Sequence, residues 1–210
     1  MESVAHLIPS RWLTPPLPTR IEVAAFDWKR KVLAIASDTM CYFLKSKSAH
    51  QFFRFGSTGS VLPKPRYRDV ALGSTHQSLS VASKITAISF SPDGDTLVYG
   101  CASGEVGTFV CWHETWIPGT QLDPSPHTAP VTLVTFPHDD STIFTAASVH
   151  HCVSVHRLVG RKWMSRVIEN QSWPVSAVIF SPTHRWVLTY SGVGSVKVFD
   201  VDSGRLQYSG

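Results

Sequence analysis

Residues 84–112 read KITAISFSPDGDTLVYGCASGEVGTFVCW, and this stretch is one copy of a pattern that the chain repeats. Further copies are PVTLVTFPHDDSTIFTAASVHHCVSVHRL at 130–158, PVSAVIFSPTHRWVLTYSGVGSVKVFDVDSG at 174–204 and RIEVAAFDWKRKVLAIASDTMCYFL at 20–44. Phe90, Phe136 and Phe180 follow one another at intervals of 46 and 44 residues. A period of this size, built from three or four short strands, is typical of a propeller blade rather than of a helical repeat.

Each copy has the composition of short strands joined by turns. In the copy at 84–112, an alternating segment ends at Phe90, a Ser-Pro-Asp-Gly turn follows, and a small polar turn separates two further strand-like runs. Pro92 fixes φ for a turn and Gly94 permits positive φ, so the first hairpin is encoded locally. No window of the chain keeps a helical apolar period over three turns. We therefore predict an all-β fold.

The copies resemble the WD40 repeats of β-propeller proteins, in which a blade often opens with His-x-x-x-Val and ends its third strand on Trp-Asp. The segment from His127 to Val131 matches the opening, and Phe199-Asp200 matches the end with Phe in place of Trp. No copy has the complete His, Ser/Thr, Asp and Trp network of the family. The resemblance covers about residues 20–210 and implies a β-propeller of WD40 type. Its blades would number about four, at about 20–55, 84–125, 130–170 and 174–210, after a Pro-rich N-terminal arm at 1–19.

Propellers of this family usually need more than four blades to close a ring, and an open blade face leaves apolar surface in water. After the last copy, Asp202-Ser203-Gly204 predicts a turn and the segment from Arg205 to Tyr208 predicts a fourth strand of the same blade. We therefore expect an incomplete ring. Either the chain is part of a longer one, or another propeller or chain completes the ring.

The first repeat is longer than the others, because Phe26 and Phe90 lie 64 residues apart. We predict His50–Phe55 as the outer strand of the first blade and 56–83 as a basic, Ser-rich loop. A long loop on a rigid scaffold is either functional or a solvated flexible insertion. A functional loop would be a docking arm for an acidic protein or for RNA. The alternative function is then a propeller subunit of an RNA-binding or RNA-modifying complex that uses the basic 45–68 segment, with Lys45, Lys47, Arg54, Lys64, Arg66 and Arg68.

The chain has 210 residues, of which 43% are hydrophobic and 16% charged, and its net charge is +4. This composition fits a packed globular core and carries only a mild basic bias. The N-terminal segment lacks the pattern of a secretory signal, and no apolar run approaches the length of a membrane span, so we expect no membrane partner. The cysteines at 41, 101, 111 and 152 have no paired spacing, which favours reduced thiols and a cytoplasmic or nuclear location.

His150, Cys152, Ser154 and His156 alternate along one predicted strand, and His with Cys is a metal-ligand combination. Ligands two residues apart on one strand splay along it, so strand packing explains these residues better than a metal does. The chain has no Gly-rich phosphate loop, no Gly-x-Ser-x-Gly elbow and no His-Glu-x-x-His motif. We predict a protein that is not an enzyme, without catalytic residues, metal or cofactor. A catalytic site assembled from distant residues would leave no motif and stays an open alternative.

Most WD40 proteins are interaction platforms, so the resemblance implies a non-catalytic scaffold that mediates protein–protein interaction within a multi-protein complex. It also places the contact residues in the turns between second and third strands and in the connections between blades. The residues predicted there are Asp38, Arg66, Arg68, Ser103, Glu105, His127, His150, His151 and Trp173. Trp173 ranks first, either as an exposed contact or as a plug between blades. Trp112, Trp163 and Trp186 lie in or beside strands and are predicted to be core.

Overall fold

The computed structural model describes residues 20–45, 75–122, 127–137, 142–147, 152–159, 162–170, 173–181 and 186–210. Every regular element in these residues is a β-strand, which confirms the all-β prediction. The strands are β1 Val23–Asp27, β2 Val32–Ser37, β3 Met40–Lys45, β4 Thr75–Ser80, β5 Ile85–Phe90, β6 Thr96–Cys101, β7 Val106–Trp112, β8 Thr115–Gln121, β9 Val131–Thr135, β10 Thr142–Ala147, β11 Cys152–Val159, β12 Lys162–Asn170, β13 Val175–Phe180, β14 Trp186–Ser191, β15 Val196–Asp200 and β16 Leu206–Ser209. In the part of the chain that the structure describes, no helix has the length and apolarity to cross a membrane.

The strands form four antiparallel sheets, each made of four strands in the order of the sequence. We call these sheets blade 1 (β1–β4), blade 2 (β5–β8), blade 3 (β9–β12) and blade 4 (β13–β16). The first strands of successive blades lie side by side, β1 next to β5, β5 next to β9 and β9 next to β13. Among the described strands, no comparable contact joins β13 back to β1. The fold is therefore a β-propeller-like arc of four blades, which confirms the predicted fold class and the incomplete ring.

The turn between β5 and β6 forms where the sequence predicts it. The backbone N–H of Gly94 donates to the carbonyl of Ser91 at 2.9 Å, and Gly94 has a φ of 80°. The hydroxyl of Ser91 donates to the Asp93 carboxylate at 2.6 Å. A Cβ at Gly94 would overlap the Asp27 carboxylate of blade 1. Glycine is therefore required here both by the backbone conformation and by the neighbouring blade.

Apolar side chains fill the spaces between successive blades. Between blades 1 and 2, Phe43 stacks on Trp116 with ring centroids 4.4 Å apart and meets Phe109 edge-on at 5.7 Å. Between blades 3 and 4, Val187 and Phe199 are fully buried against residues of β11. Burial of each such side chain contributes about 1.5–3 kcal/mol. The contacts between blade faces therefore contribute much of the stability of the fold.

The outer strand of blade 1 differs from the prediction. The prediction placed it at His50–Phe55, whereas the structure pairs Thr75–Ser80 with β3, from Lys45↔Thr75 to Met40↔Ser80. The prediction of a loop at 56–83 is therefore wrong for Thr75–Ser80, which forms β4. Residues 46–74 lie outside the described residues. Leu79 of this strand packs on the cluster between blades 1 and 2, and this tertiary contact outweighs the weak strand propensity of the segment.

The last strand of the chain forms as predicted. Leu206–Ser209 pairs with β15 through Lys197↔Ser209 and Val198↔Tyr208. Blade 4 therefore has its fourth strand, and all four residues of that strand are exposed.

Candidate interaction surfaces

Three of the predicted contact residues lie in turns between second and third strands, Asp38 in blade 1 and Ser103 and Glu105 in blade 2. Asp38 is exposed in the β2–β3 turn, and its carbonyl accepts a hydrogen bond from the Ile85 N–H at 2.8 Å. The Ser103 N–H donates to the Ser83 hydroxyl at 3.2 Å. The Ser103 hydroxyl donates to the Glu105 carboxylate at 3.1 Å. The structure thus brings Ser103 and Glu105 together, while Asp38 lies at the preceding turn of the same kind.

His127 is not a surface contact. Its side chain is only 3% exposed, and its carbonyl lies so close to Gly104 that a Cβ there would overlap it. A buried side chain cannot touch a partner at the surface, so the prediction of His127 as a contact residue is wrong. The sequence signal was the His-x-x-x-Val match, because the histidine of the WD40 repeats that this copy resembles belongs to an internal hydrogen-bonded network.

Trp173 lies at the surface before β13, with 51% of its area exposed. The alternative that it plugs the space between two blades is therefore wrong. Its role as a contact residue stays a prediction. Arg66, Arg68, His150 and His151 lie outside the described residues, so the structure does not place these four predicted contacts.

The tryptophan that fills the contact between blades 1 and 2 is Trp116, which the sequence did not single out. Trp116 is 3% exposed, whereas Trp112, predicted to be core, is 66% exposed. The pairing Cys111↔Trp116 puts these two residues on one face of blade 2, and Trp112 falls on the alternate face. Trp163 and Trp186 are partly buried, and Trp163 packs on the cluster between blades 2 and 3.

A cleft of about 250 Å³ lies between the outer strands of blades 1 and 2. Lys45, at the end of β3, forms an ion pair with Glu114 in the β7–β8 turn. The Lys45 ammonium lowers the pKa of the Glu114 carboxyl from its usual value. Gln77 accepts a hydrogen bond from the Trp116 N–H at 2.7 Å and donates one to the Trp116 carbonyl. Trp116 and Phe43, which stack on each other, both line the cleft.

The space between blades 2 and 3 contains a buried histidine. His156 is fully buried in β11, and its Nδ1 lies 2.7 Å from the hydroxyl of Ser165. Burial, with His127 nearby, lowers the pKa of His156 to about 3. His156 is therefore neutral at physiological pH. In the described part of the chain, no three His, Cys, Asp or Glu side chains gather as a metal site would require. His150 lies outside that part, and nothing is described of the Cys152 side chain.

Two of the described thiols, those of Cys41 and Cys101, do not resemble nucleophiles. Burial raises the pKa of Cys101 to about 11 and also raises the pKa of Cys41. A thiol with a raised pKa is less often a thiolate and hence less reactive. These two residues therefore behave as small core side chains.

The face of blade 4 that points away from blade 3 is apolar and exposed. A cross-strand row of four residues runs through the sheet, formed by Ile179, Leu188, Val198 and Tyr208. Ile179 is 57% exposed and Tyr208 is 59% exposed. Because side chains alternate along a strand, the neighbouring Phe199 points to blade 3 and is fully buried. We call this row and its surroundings the open face of blade 4.

The open face corresponds to faces that the other blades bury. Aligned by their pairing with the second strands, the third strands place Phe43, Thr108, Val155 and Val198 at one position. The first three are 2%, 4% and 3% exposed, each on the side of its blade where the next blade lies. Val198 is partly exposed. Contiguous apolar surface of this kind marks interaction sites on proteins.

A scan against protein-family models finds no match, and a search of curated proteins finds none. Solved structures with a similar backbone include the computationally designed Ika8 protein, at 18% sequence identity and a TM-score of 0.62 over 90% of this chain and 48% of that one. Another is a chain of the mitotic checkpoint complex, at 12% identity and a TM-score of 0.63 over 90% of this chain and 50% of that one. The chain therefore spans about half the length of both. At these identities the similarity shows the fold alone, and that fold is β-propeller-like.

Proposed function

We propose that this chain is a non-catalytic scaffold of WD40 type that binds other proteins within a multi-protein complex. The observation that carries the proposal is the open face of blade 4, which is exposed at the position that blades 1 to 3 bury. Covering apolar surface contributes about 25 cal/mol for each Å² removed from water. A partner that packs a flat apolar surface on Ile179 and Tyr208 would gain this energy, as the next blade does elsewhere in the arc.

The WD40 assignment is supported by the ends of the repeats. Phe199 takes the place of the repeat's Trp and is fully buried. Asp200, which follows it, accepts hydrogen bonds from the backbone N–H and the hydroxyl of Ser203 at 2.7 Å each, and so fixes the turn into β16. One neighbour in structure belongs to a complex, the mitotic checkpoint complex, which agrees with a scaffold role. His127 lies where the repeat has its opening histidine.

The proposed occupant of the space beyond blade 4 is another propeller or another chain, and the alternative is a further part of a longer chain that continues the arc. Such a partner would offer an apolar sheet face, because a sheet face covers the corresponding positions of the other blades. The proposed location is the cytoplasm or the nucleus. This is supported by the free thiols of Cys41, Cys101 and Cys111 among the described residues.

The test compares the wild-type chain with Ile179→Glu and a matched control, Ile117→Glu. Ile117 is 44% exposed on the outer strand of blade 2, away from the open face. Affinity capture from cell extract, quantified by mass spectrometry, should recover proteins with the wild type and Ile117→Glu that Ile179→Glu does not retain. Light scattering of each chain, alone and with the recovered partner, gives the size of the complex. Equal recovery by all three chains, with unchanged circular dichroism, would reject the proposal.

The RNA alternative depends on the basic 45–68 segment. Of its basic residues the structure describes Lys45, which is paired with Glu114. A titration of single-stranded RNA at about 50 and 200 mM salt separates the two functions. Contacts with several phosphates weaken by about tenfold or more over this range, whereas apolar contacts on blade 4 do not.

A further inference from the structure

A groove between blades 3 and 4 has the same plan as the cleft between blades 1 and 2. Val155 holds the position of Phe43 in its third strand. Arg166 pairs with Val155 as Gln77 pairs with Phe43. The same face therefore presents an apolar residue of the third strand and a polar residue of the outer strand in both blades.

At both the cleft and the groove, similar polar contacts connect one blade to the next. Arg157 forms an ion pair with Asp202 of blade 4 at 2.6 Å, as Lys45 does with Glu114 of blade 2. Arg166 donates a hydrogen bond to the carbonyl of Val201 at 3.0 Å. In both places, a charged pair from the third strand and a side-chain to backbone hydrogen bond from the outer strand connect one blade to the next.

The difference is one large side chain. In blade 2, Trp116 pairs with Cys111 and stacks on Phe43. In blade 4, Val201 corresponds to Cys111, and the residue across the turn is Gly204, whose N–H bonds to the carbonyl of Asp200 at 2.8 Å. Gly204 has no side chain, and the Arg166 guanidinium lies 3.4–3.7 Å from where its Cβ would stand. Val155 is accordingly only 3% exposed, and the groove opens beside it, along Val159 and Met164.

The groove has exposed apolar residues in its wall and charged residues at its rim. Its volume is about 370 Å³, which lies in the range of about 300–1,000 Å³ typical of ligand pockets. Val159 is 63% exposed and Met164 is 61% exposed in its wall. Arg157, Arg166 and Asp202 line the rim, so the lining carries one more positive than negative charge.

We propose that this groove binds an acidic segment of another protein through one aromatic side chain. The aromatic ring packs on Val159 and Met164, the two exposed apolar residues of the wall. A neighbouring carboxylate of the segment pairs with Arg157 or Arg166, since guanidinium and carboxylate groups form strong charge-assisted hydrogen bonds. Aromatic anchors in pockets carry much of the affinity of protein contacts. This surface is distinct from the open face of blade 4, so the inference does not depend on the proposed function.

The test uses fluorescence anisotropy with two labelled peptides, Gly-Asp-Glu-Trp-Glu-Asp-Gly and its match with alanine in place of tryptophan. The wild-type chain should bind the tryptophan peptide with a Kd below about 1 mM and at least about tenfold more tightly than the alanine peptide. Met164→Glu should weaken binding of the tryptophan peptide by about tenfold or more, because it places a like charge in the groove. Val193→Glu is the matched control, since Val193 is also 61% exposed and lies in the β14–β15 turn.

Each outcome of this test has a definite meaning. If Met164→Glu does not fold, Val159→Glu supplies the same charge at another exposed residue of the wall. Equal affinity for the two peptides, no binding at about 1 mM, or binding that Met164→Glu and Val159→Glu leave unchanged would overturn the inference. Ile179→Glu should leave peptide binding unchanged, so a failure of the groove and a failure of the open face give different results.

Discussion

Replacing His156 with phenylalanine is expected to remove an acid sensitivity from the contact between blades 2 and 3. In the alignment of third strands, His156 holds the position of Phe109 in blade 2 and Phe199 in blade 4. All three side chains are at most 1% exposed. A phenylalanine therefore suits the backbone at this position, and the substitution exchanges a titratable side chain for an apolar one of the kind that the other blades use.

The magnitude follows from the pKa of His156, which burial, with His127 nearby, lowers from 6.5 to about 3. The folded protein holds the neutral imidazole, whereas the unfolded chain binds a proton below about pH 6.5. The free energy of unfolding therefore decreases as the pH falls below about 6.5, and it continues to decrease until about pH 3. One pKa unit corresponds to about 1.36 kcal/mol, so the loss between pH 7 and pH 5 is about 2 kcal/mol.

Urea unfolding at pH 7 and pH 5, followed by circular dichroism, measures this loss for the wild type and for His156→Phe. Other titrating groups act almost equally in both proteins, so the difference between their losses isolates His156. The wild type should lose about 2 kcal/mol more than the variant. The reasoning is refuted if both proteins lose the same free energy of unfolding between the two pH values.

Three further predictions concern stability and reactivity. Trp116→Ala should lower the free energy of unfolding by about 3–5 kcal/mol in urea titrations, because the buried ring leaves a cavity, whereas Trp112→Ala should change it by less than about 0.5 kcal/mol. Equal effects of the two variants would contradict the assigned register. Gly94→Ala should cost about 1 kcal/mol or more in the same assay, since φ is 80° and the methyl group meets a neighbouring carboxylate. Brief iodoacetamide treatment of the folded protein, read by peptide mass spectrometry, should label partly exposed Cys111 before buried Cys41; the reverse order would contradict their burial.

The repeat of phenylalanines was sufficient to predict the strands of the arc, because each copy encodes its own alternation and its own turn. The outer strand of blade 1 was not predictable in this way. Its sequence, THQSLS, has little strand propensity, whereas His50–Phe55 contains three phenylalanines. The contacts that place Thr75–Ser80 are long-range, namely the pairing with β3 and the hydrogen bonds of Gln77 to Trp116. No local pattern encodes such contacts.

The turns that carry the candidate contact residues were predictable from the sequence, but which side chains are exposed was not. Trp112 and Trp116 stand four residues apart, and which of them is buried depends on the register across the β7–β8 turn. That turn consists of His113 and Glu114, both at positive φ, with values of 46° and 65°. Two-residue hairpin turns of this kind are usually marked by Asn-Gly or Asp-Gly, and this one is not. No local signal in the sequence marks this register, and the prediction that Trp112 is core is therefore wrong.

The three contacts between successive blades differ in the third-strand residues that lie at their centre. Between blades 1 and 2 it is filled by Phe43 and Phe109, and between blades 3 and 4 by Val155 and Phe199. Between blades 2 and 3 the equivalent residues are Thr108, whose hydroxyl bonds to a carbonyl of its own blade at 3.0 Å, and His156. Polar groups satisfied within their own blade add little attraction across the contact. The contact between blades 2 and 3 therefore places polar side chains beside the apolar cluster that also joins these blades. Both proposed binding surfaces lie on blades 3 and 4, so acid that protonates His156 should weaken the contact between blades 2 and 3 without a direct effect on the groove or the open face.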